Sequence, residues 1–255
     1  MESRWAMESA EIRRNRERSM TTDTMTRLHI LQHAHCEGPG AIADWASARE
    51  WQIATTHLYR GEPLPDADAV DFLLIMGGPM NIYMDRDHPW LRGERAFIER
   101  HIAAGKPAVG VCLGSQFLAD ALGGRVIQNP EIEIGCFPLK FTAGARARFP
   151  FLPESLPVAH WHGDTFELPG GALRLATSAA CQNQGFLFDD RVLALQFHPE
   201  ITRDDLAAWV KEFGGGLKRS AYVQTGDAIL AAPAEAFTAG RAVLRKLLDA
   251  IFPVR

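Results

Sequence analysis

The stretch Gly-Val-Cys-Leu-Gly-Ser-Gln at residues 110–116 joins an apolar, strand-like run to a helix-like run. A side chain presented at a sharp strand-to-helix turn needs small neighbours, because the bend leaves no room for Cβ atoms. Gly110 and Gly114 meet that need on either side of Cys112. The first N–H groups of the following helix, together with its dipole, favour a thiolate at this place. The stretch therefore predicts a strand, an elbow and a helix, with Cys112 as a nucleophile.

A second strand end, further along the chain, carries a candidate base for this thiol. Residues 192–197 form an apolar run typical of a buried strand, and Pro199, which has no N–H for a sheet, ends it. His198 is therefore expected at the carboxyl end of a strand, the edge at which open α/β sheets bind ligands. A neutral imidazole can take the thiol proton and return it to a leaving amine, while Glu200 orients the ring. The sequence predicts a catalytic triad of Cys112, His198 and Glu200.

A third turn, Met-Gly-Gly-Pro at residues 76–79, follows the apolar run 71–76. Two glycines and a proline turn the backbone sharply, so an N–H can approach a ligand without a side chain in the way. The predicted oxyanion donors are the N–H of Gly78 and that of Leu113, the residue after the nucleophile. Each such donor stabilises a transition state by about 3 kcal/mol. By itself, the Gly-Gly-Pro block also suits an ordinary tight turn.

These blocks together resemble the motifs of a known family, the class I glutamine amidotransferases. The family motifs Gly-x-Cys-x-Gly-x-Gln and His-Pro-Glu stand unaltered at residues 110–116 and 198–200, and residues 76–79 are similar to its oxyanion segment. The segment 162–164 is similar to one that lies along the substrate in glutaminase domains of the guanylate-synthase type. The resemblance spans residues 27–213. It implies an α/β fold with a doubly wound, mostly parallel, flavodoxin-like sheet, and hydrolysis of a γ-carboxamide through a γ-glutamyl thioester on the cysteine.

The same resemblance implies which residues hold the substrate. The equivalent of Gln116 helps to hold glutamine in the family, although an ordinary polar first-turn residue is the alternative. His162, Gly163 and Asp164 are expected beside the substrate. Asp164 would receive its α-amino group or, alternatively, form an Asx turn. Trp161 departs from the smaller polar residue common at this place in the family, which leaves open a pocket for free glutamine or for a larger γ-glutamyl compound.

Two histidine clusters raise the question of a metal. His160 and His162 share one side of a predicted strand, and His33, His35 and Cys36 form a second group. A catalytic zinc site needs a third protein ligand and a helper base, and neither cluster shows an obvious partner. We therefore expect no metal and no cofactor. His160 is expected to be a polar residue satisfied within the sheet.

Composition restricts the classes of function. Of the 255 residues 47% are hydrophobic, enough for a large core. A net charge of −4 offers no broad basic surface for nucleic acid, and no apolar run approaches the roughly 20 residues of a membrane span. The four cysteines lack paired short spacings, so Cys36, Cys136 and Cys181 are expected to be reduced thiols used as small apolar residues. We expect a cytoplasmic protein with no nucleic-acid or membrane partner.

Apolar periodicity predicts a chain of alternating strands and helices. Residues 1–25 are expected to be a disordered or loosely helical extension, and residues 26–255 a single domain with C-terminal helices. Between 125 and 188, short β-rich pieces separated by turn residues indicate an antiparallel insertion at the sheet edge. The predicted strands are 28–33, 52–58, 70–76, 107–111 and 192–197, with further β pieces at 136–142 and 173–177. The predicted helices are 40–50, 90–104, the segment from the elbow to Gly123, 203–213, 225–232 and 234–252.

Three functions are compatible with these features. In the first, which we favour, a glutaminase acts on glutamine and passes ammonia to a synthetase; the chain has no Gly-rich phosphate loop, so that synthetase would be a separate subunit. In the second, a free-standing γ-glutamyl peptidase or hydrolase lets water resolve the same thioester. The third is a non-catalytic thiol sensor or chaperone of similar fold. The presence of His198 and Glu200 argues against it, as does Leu113 where such relatives often have histidine.

Overall fold

The computed structural model of the chain describes residues 25–253. The predicted N-terminal extension, residues 1–25, lies outside this range except for Met25. Within the described range, strands and helices alternate along the chain, and the strands form one sheet. The α/β fold class with a mostly parallel central sheet is confirmed.

The sheet of residues 25–253 has nine strands in the order β2-β1-β3-β4-β9-β8-β7-β5-β6. The first five in this order are mutually parallel and follow the flavodoxin-like pattern of the prediction, whereas the remaining neighbours pair antiparallel. The strands are β1 (Arg27–Gln32), β2 (Gln52–His57), β3 (Phe72–Ile75), β4 (Ala108–Val111), β5 (Val126–Phe141), β6 (Ser155–Phe166), β7 (Leu173–Thr177), β8 (Gly185–Phe188) and β9 (Val192–Leu195).

The helices connect these strands and follow the last of them. They are α1 (Gly40–Ser47), α2 (Trp90–Ala103), α3 (Leu113–Ala121), α4 (Ala143–Arg148), α5 (Arg203–Phe213), α6 (Gly226–Leu230) and α7 (Ala234–Ile251), with 3₁₀ turns at Leu58–Arg60, Ala67–Ala69 and Gly214–Gly216. Most ends differ from the predicted ones by three residues or fewer, since terminal turns and strand ends are weakly specified by pattern.

Two apolar layers enclose the parallel strands. Leu74 of β3 packs on one face with residues of α1 and α7, among them Trp45 and Leu248. Its neighbour Leu73 packs on the other face with residues of α2 and α3, among them Phe97. Successive side chains of a strand point to opposite faces, so a strand covered on both sides reads as a continuous apolar run. The sequence Phe-Leu-Leu-Ile of β3, buried at every position, is such a run.

The antiparallel insertion is present, but its strands are longer than predicted. We expected short pieces, whereas β5 has 16 residues and β6 has 12, paired along most of their lengths. Pro138 and Pro157 suggested breaks; they lie opposite each other within the pair instead. The pairing shifts register between Gln128 and Glu133, an irregularity that accommodates the intervening Pro130.

Strand order brings three chain segments to one edge of the sheet. The neighbours β3, β4 and β9 are parallel, so their carboxyl ends lie side by side. The segment 76–79 follows β3, Cys112 follows β4 and His198 lies three residues beyond β9. The fold therefore places the predicted oxyanion segment, nucleophile and base within one region.

None of the helices within residues 25–253 combines the length and the apolar character that crossing a bilayer requires.

Acid should weaken the fold through His101, on the inner side of α2. Burial lowers the pKa of His101 to about 4, so the ring stays neutral while the unfolded chain, with a pKa near ~6.5, binds a proton. This group's contribution to stability is complete above pH ~6.5 and is lost as pH falls toward 4. Over that window, the free energy of unfolding of His101→Gln should fall by about 3 kcal/mol less than that of the unmodified protein. Urea denaturation between pH 4 and 7 measures the difference.

The exposed His35 provides the control, because His35→Gln removes an imidazole that is not enclosed by the fold. Its stability should follow the same pH dependence as that of the unmodified protein. Parallel curves for all three proteins would contradict the assignment to His101.

Candidate active site

Cys112 occupies a strained elbow between β4 and α3. Its backbone angles are φ 52° and ψ −109°, a region that residues with a side chain rarely adopt. The two predicted glycines make the turn possible by close approach. A Cβ at Gly110 would overlap with the backbone of Gly114, and a Cβ at Gly114 would overlap with the carbonyl of Ile75. The elbow is anchored by a hydrogen bond of 2.7 Å from the Cys112 N–H to the Leu195 carbonyl of β9.

The crowding at Gly114 predicts a large loss of stability on adding one methyl group. Gly114→Ala should lower the free energy of unfolding by at least about 2 kcal/mol, because the new Cβ meets a rigid backbone carbonyl. Gly93→Ala is the matched control: Gly93 also lies in the first turn of a helix, but its nearest neighbour, Leu64 Cδ1, is 3.8 Å away. It should gain about 0.5–1 kcal/mol. Urea denaturation compares the two, and similar effects at both positions would refute this account of the elbow.

His198 is held beside Cys112 with its ring orientation defined by three contacts. Its Nδ1 lies 2.8 Å from Glu200 Oε1, its backbone N–H donates to the Ala159 carbonyl of β6 at 2.9 Å, and its ring meets the edge of Trp209. Burial by itself would lower the pKa of His198, but the Glu200 carboxylate and the hydrogen-bonded Cys112 side chain outweigh it and raise this pKa well above the usual value. The three predicted triad side chains are thus brought together, with Glu200 behind the ring.

The predicted oxyanion donors lie next to the thiol. Gly78 and Leu113 both border the cavity that Cys112 lines, and a Cβ built at Gly78 would stand 3.0 Å from Leu113 Cδ2. Within residues 25–253, neither backbone N–H donates to a protein acceptor. Two free donors beside a nucleophile are the arrangement that a tetrahedral oxyanion requires.

A cavity of ≈ 380 Å³ opens over the thiol. Its walls are largely apolar and partly aromatic, and they include Met80, Ile132, Ile134, Trp161, Trp209 and Phe213. Among the predicted site residues, those bordering it are Gly78, Cys112, Leu113, Gln116, Trp161, His162, Gly163, Asp164 and His198. Glu200 does not border it, consistent with a role through the imidazole.

Polar groups at one end of the cavity are connected by hydrogen bonds. Gln116 Nε2 donates to Gln196 Oε1 at 3.2 Å, and Gln196 Nε2 in turn lies 3.6 Å from Cys112 Sγ. The Asp164 carboxylate accepts from Tyr83 Oη at 2.6 Å and from Asn81 Nδ2, so it is bound by a distant loop instead of an Asx turn. Burial and the hydrogen bond to Asp164 raise the pKa of Tyr83 to about 12.

Trp161 presents its two ends to different partners. Its carbonyl oxygen lies 3.6 Å from Cys112 Sγ, while its indole packs edge-on against Trp209, with ring centres 6.1 Å apart, and against Phe213 at 6.3 Å. The large ring therefore joins the aromatic wall contributed by α5. This packing explains how the site accepts a tryptophan where the family commonly has a smaller residue.

Sequence reasoning missed several residues of the site. Glu37 borders the cavity, and a Cβ at Gly77 would overlap with its Oε2 and lie 3.3 Å from His198 Cε1. Burial raises the pKa of Glu37, with His198 and His33 opposing that shift. Asn81, Tyr83 and Gln196 were also missed. The one available signal was the location of Glu37 shortly after β1, at the carboxyl edge of the parallel strands.

The metal analysis needs one correction. The expectation that His160 and His162 lack a third partner was wrong, because Glu133 of β5 approaches both rings. In the other cluster, His33 is already engaged: its Nε2 lies 2.7 Å from Glu94 Oε1 and its Nδ1 3.0 Å from the Gly77 carbonyl.

Comparison with known proteins agrees with this arrangement. Residues 48–213 match the family described as Glutamine amidotransferase class-I. The chain belongs to this family. The glutamine amidotransferase-like protein YfeJ of Salmonella typhimurium is 37% identical over 183 residues, covering 69% of this chain and 76% of that protein. The glutamine-hydrolyzing subunit of the GMP synthase of Thermoplasma acidophilum is 31% identical over 179 residues, covering 69% and 85%.

A solved structure shares the fold of this class I amidotransferase over most of its length. The crystal structure of a glutamine amido transferase from Methylobacillus flagellatus superposes with a TM-score of 0.82 at 27% identity, covering 89% of this chain and 94% of that one. The family resemblance read from the sequence is therefore confirmed. Glu37 lies outside the 48–213 match, so the site includes a carboxylate from beyond the matched segment.

Proposed function

We propose that this class I amidotransferase hydrolyses γ-glutamyl amides, glutamine first among them, through a thioester on Cys112. The observation that carries the proposal is the elbow: a cysteine at positive φ, in contact with the His198–Glu200 pair and beside the free N–H groups of Gly78 and Leu113. A structural cysteine would need neither the strained backbone nor the aligned imidazole.

The chemistry follows from these positions. Cys112 Sγ attacks the γ-carbonyl carbon, and the oxygen that becomes negative accepts hydrogen bonds from Gly78 and Leu113. The carbon–nitrogen bond breaks as His198 gives its proton to the leaving nitrogen, so ammonia or an amine departs and a thioester remains. Water then attacks the thioester as His198 takes its proton, which releases glutamate and restores the thiol. Glu200 stabilises the imidazolium throughout.

The cavity groups supply candidates for binding the substrate. We assign Gln116, His162, Gly163 and Asp164 to the glutamyl part, because they border the polar end next to the thiol. Trp161 is assigned to the far wall, against which the leaving amine would lie.

The relatives suggest a destination for the ammonia. One of them is named as a single subunit of a GMP synthase, a name that implies a further subunit, and by analogy this chain would serve a separate synthetase. We place the activity in the cytoplasm, because all four cysteines are free thiols, as a reducing compartment would keep them.

A free-standing γ-glutamyl hydrolase is the second candidate. It is favoured by the size of the cavity, ≈ 380 Å³, which falls in the range of drug-sized ligand sites, and by its aromatic wall. A bulky leaving amine would find apolar contacts there that ammonia cannot use.

A substrate panel separates these functions. Purified protein is assayed with glutamine and with γ-glutamyl peptides of increasing apolar size, and glutamate release gives kcat/KM for each. Slow turnover of glutamine and of every peptide, increased by addition of a synthetase partner, supports the amidotransferase. Efficient turnover of peptides supports the hydrolase. No glutamate from any substrate and no covalent labelling of Cys112 would leave only the non-catalytic sensor.

Trp161→Ala should change substrate preference more than stability. The truncated side chain removes part of the apolar wall, so the ratio of kcat/KM for an apolar γ-glutamyl peptide to that for glutamine should fall about tenfold. Phe151→Ala is the control, since Phe151 is a partly buried aromatic residue packed in a different cluster, away from the cavity. An unchanged ratio would remove Trp161 from the determinants of specificity.

A further inference from the structure

Three metal-ligand side chains converge behind the cavity wall. Glu133 of β5 lies directly opposite His162 of β6 in the antiparallel register, and His160 lies two residues from His162 on the same strand face. Glu133 Oε2 is 3.4 Å from His162 Nε2 and 3.6 Å from His160 Nδ1. Ligands of a tetrahedral zinc ion, at about 2.0–2.2 Å from it, stand roughly 3.4 Å apart. The observed separations therefore match a shared ion.

One of the rings is oriented by a backbone carbonyl in the way that metal-bound histidines commonly are. His162 Nδ1 lies 3.1 Å from the Asp164 carbonyl oxygen, to which it donates its proton. The lone pair of this ring is then on Nε2, the atom that faces Glu133. A carbonyl that holds one imidazole nitrogen protonated leaves the other free for a cation.

Hydrogen-bond donors in the cluster are too few for its acceptors. Gln184 Nε2 lies 2.6 Å from Glu133 Oε2, 3.0 Å from Ser178 Oγ, 3.3 Å from His160 Nδ1 and 3.4 Å from His162 Nε2. An amide nitrogen has two protons and cannot satisfy all four atoms. Within residues 25–253, the buried atoms Glu133 Oε1, His160 Nε2 and Gln184 Oε1 have no protein partner.

Charge and burial point the same way. Glu133, His160 and Gln184 are fully buried, and His162 is 5% exposed. In the described part of the chain no lysine or arginine pairs with the Glu133 carboxylate. A buried carboxylate without a cationic partner is costly, and a bound cation would remove that cost.

We propose that Glu133, His160 and His162 bind one divalent transition-metal ion of the Zn²⁺ type, with Gln184 as the fourth ligand. Rotating the Gln184 amide by half a turn places Oε1 where Nε2 now lies, since amide O and N are interchangeable in shape. Two imidazoles with carboxylate and carbonyl oxygens suit zinc and its neighbours better than magnesium or calcium. Four protein ligands leave no open position, so the ion is structural: it ties β5 to β6 and orients His162 at the cavity wall.

The test must exclude the other site that would attract the same ion. Cys112 with His198 is a thiol–imidazole pair open to the cavity, so the experiments use the full chain carrying Cys112→Ala. Chelator-treated protein is titrated with Zn²⁺ by calorimetry and by competition with a chromophoric chelator. We expect one equivalent to bind with Kd below about 1 μM and the thermal midpoint to rise.

Variants assign the binding to these residues. Glu133→Gln keeps the side-chain shape and should weaken Zn²⁺ binding by about 100-fold or more. The matched control is Glu94→Gln, which changes another fully buried carboxylate that contacts a single histidine, His33, and should leave the affinity unchanged. Affinity unchanged in Glu133→Gln, or no binding to the Cys112→Ala protein, would mean that the cluster is only a hydrogen-bond network.

A spectroscopic measurement keeps the test decisive if Glu133→Gln fails to fold. X-ray absorption of the Zn²⁺-loaded Cys112→Ala protein should show nitrogen and oxygen as the only directly bound atoms, with the more distant scattering of imidazole carbons. A sulfur ligand, or water ligands alone, would overturn the proposal. Neither readout depends on turnover, so failure of the metal site and failure of the proposed hydrolysis are separate results.

Discussion

Cys112→Ser is expected to lower kcat/KM for glutamine by at least about 10⁴-fold while leaving the fold intact. Serine fits the same elbow, because the strain lies in the backbone and not in the side chain. Its hydroxyl is a far weaker nucleophile beside an imidazole that is already protonated. Glutamate release gives the rate, and circular dichroism with a thermal melt monitors the fold. Cys136→Ser is the control and should retain activity, because Cys136 does not border the cavity.

Covalent labelling provides a second readout of the same prediction. Burial raises the pKa of Cys136 to about 11, and it also raises the pKa of Cys36 and of Cys181. These three thiols therefore stay protonated near neutral pH, and an electrophilic glutamine analogue should modify Cys112 first. Equal labelling of all four cysteines, measured by mass spectrometry, would contradict a selectively activated nucleophile.

His198→Asn is the second large effect. Asparagine cannot accept and return a proton, so kcat/KM should fall by about 10⁴-fold or more. Glu200→Gln should cost about 10- to 100-fold less than that, because the carboxylate orients and stabilises the ring without carrying the proton. Glu62→Gln, which alters the partly exposed His57–Glu62 pair far along the chain from the triad, is the matched control and should have no effect.

The pH profile gives this prediction a direction. The Glu200 carboxylate raises the pKa of His198, so replacing it with a neutral amide should lower that pKa. The limb of the rate profile on which His198 loses its proton should therefore move to lower pH in Glu200→Gln. Near-normal activity of His198→Asn, or an unmoved limb, would show that another group serves as the base.

Tertiary contacts decided the parts of the site that have no local signature. Tyr83 and Asp164 are 81 residues apart, and Glu133 and Gln184 are 51 apart, yet each pair shares a hydrogen bond. Glu133 reaches His162 only because the β5–β6 pairing has its register shift before that point. No spacing rule applies over such distances, which is why the third metal-ligand candidate was missed.

The sequence by itself determined the features that depend on a few neighbouring residues. Gly110 and Gly114 around Cys112 specify an elbow because any Cβ there would collide with the backbone, and Pro199 limits the strand before His198. It also determined the apolar runs that become buried parallel strands. The structure alone decided which side chains meet at the cavity, including Glu37, Asn81 and Tyr83. Local steric rules act within a turn or a strand, whereas a pocket is assembled by the order and register of strands that are distant along the chain.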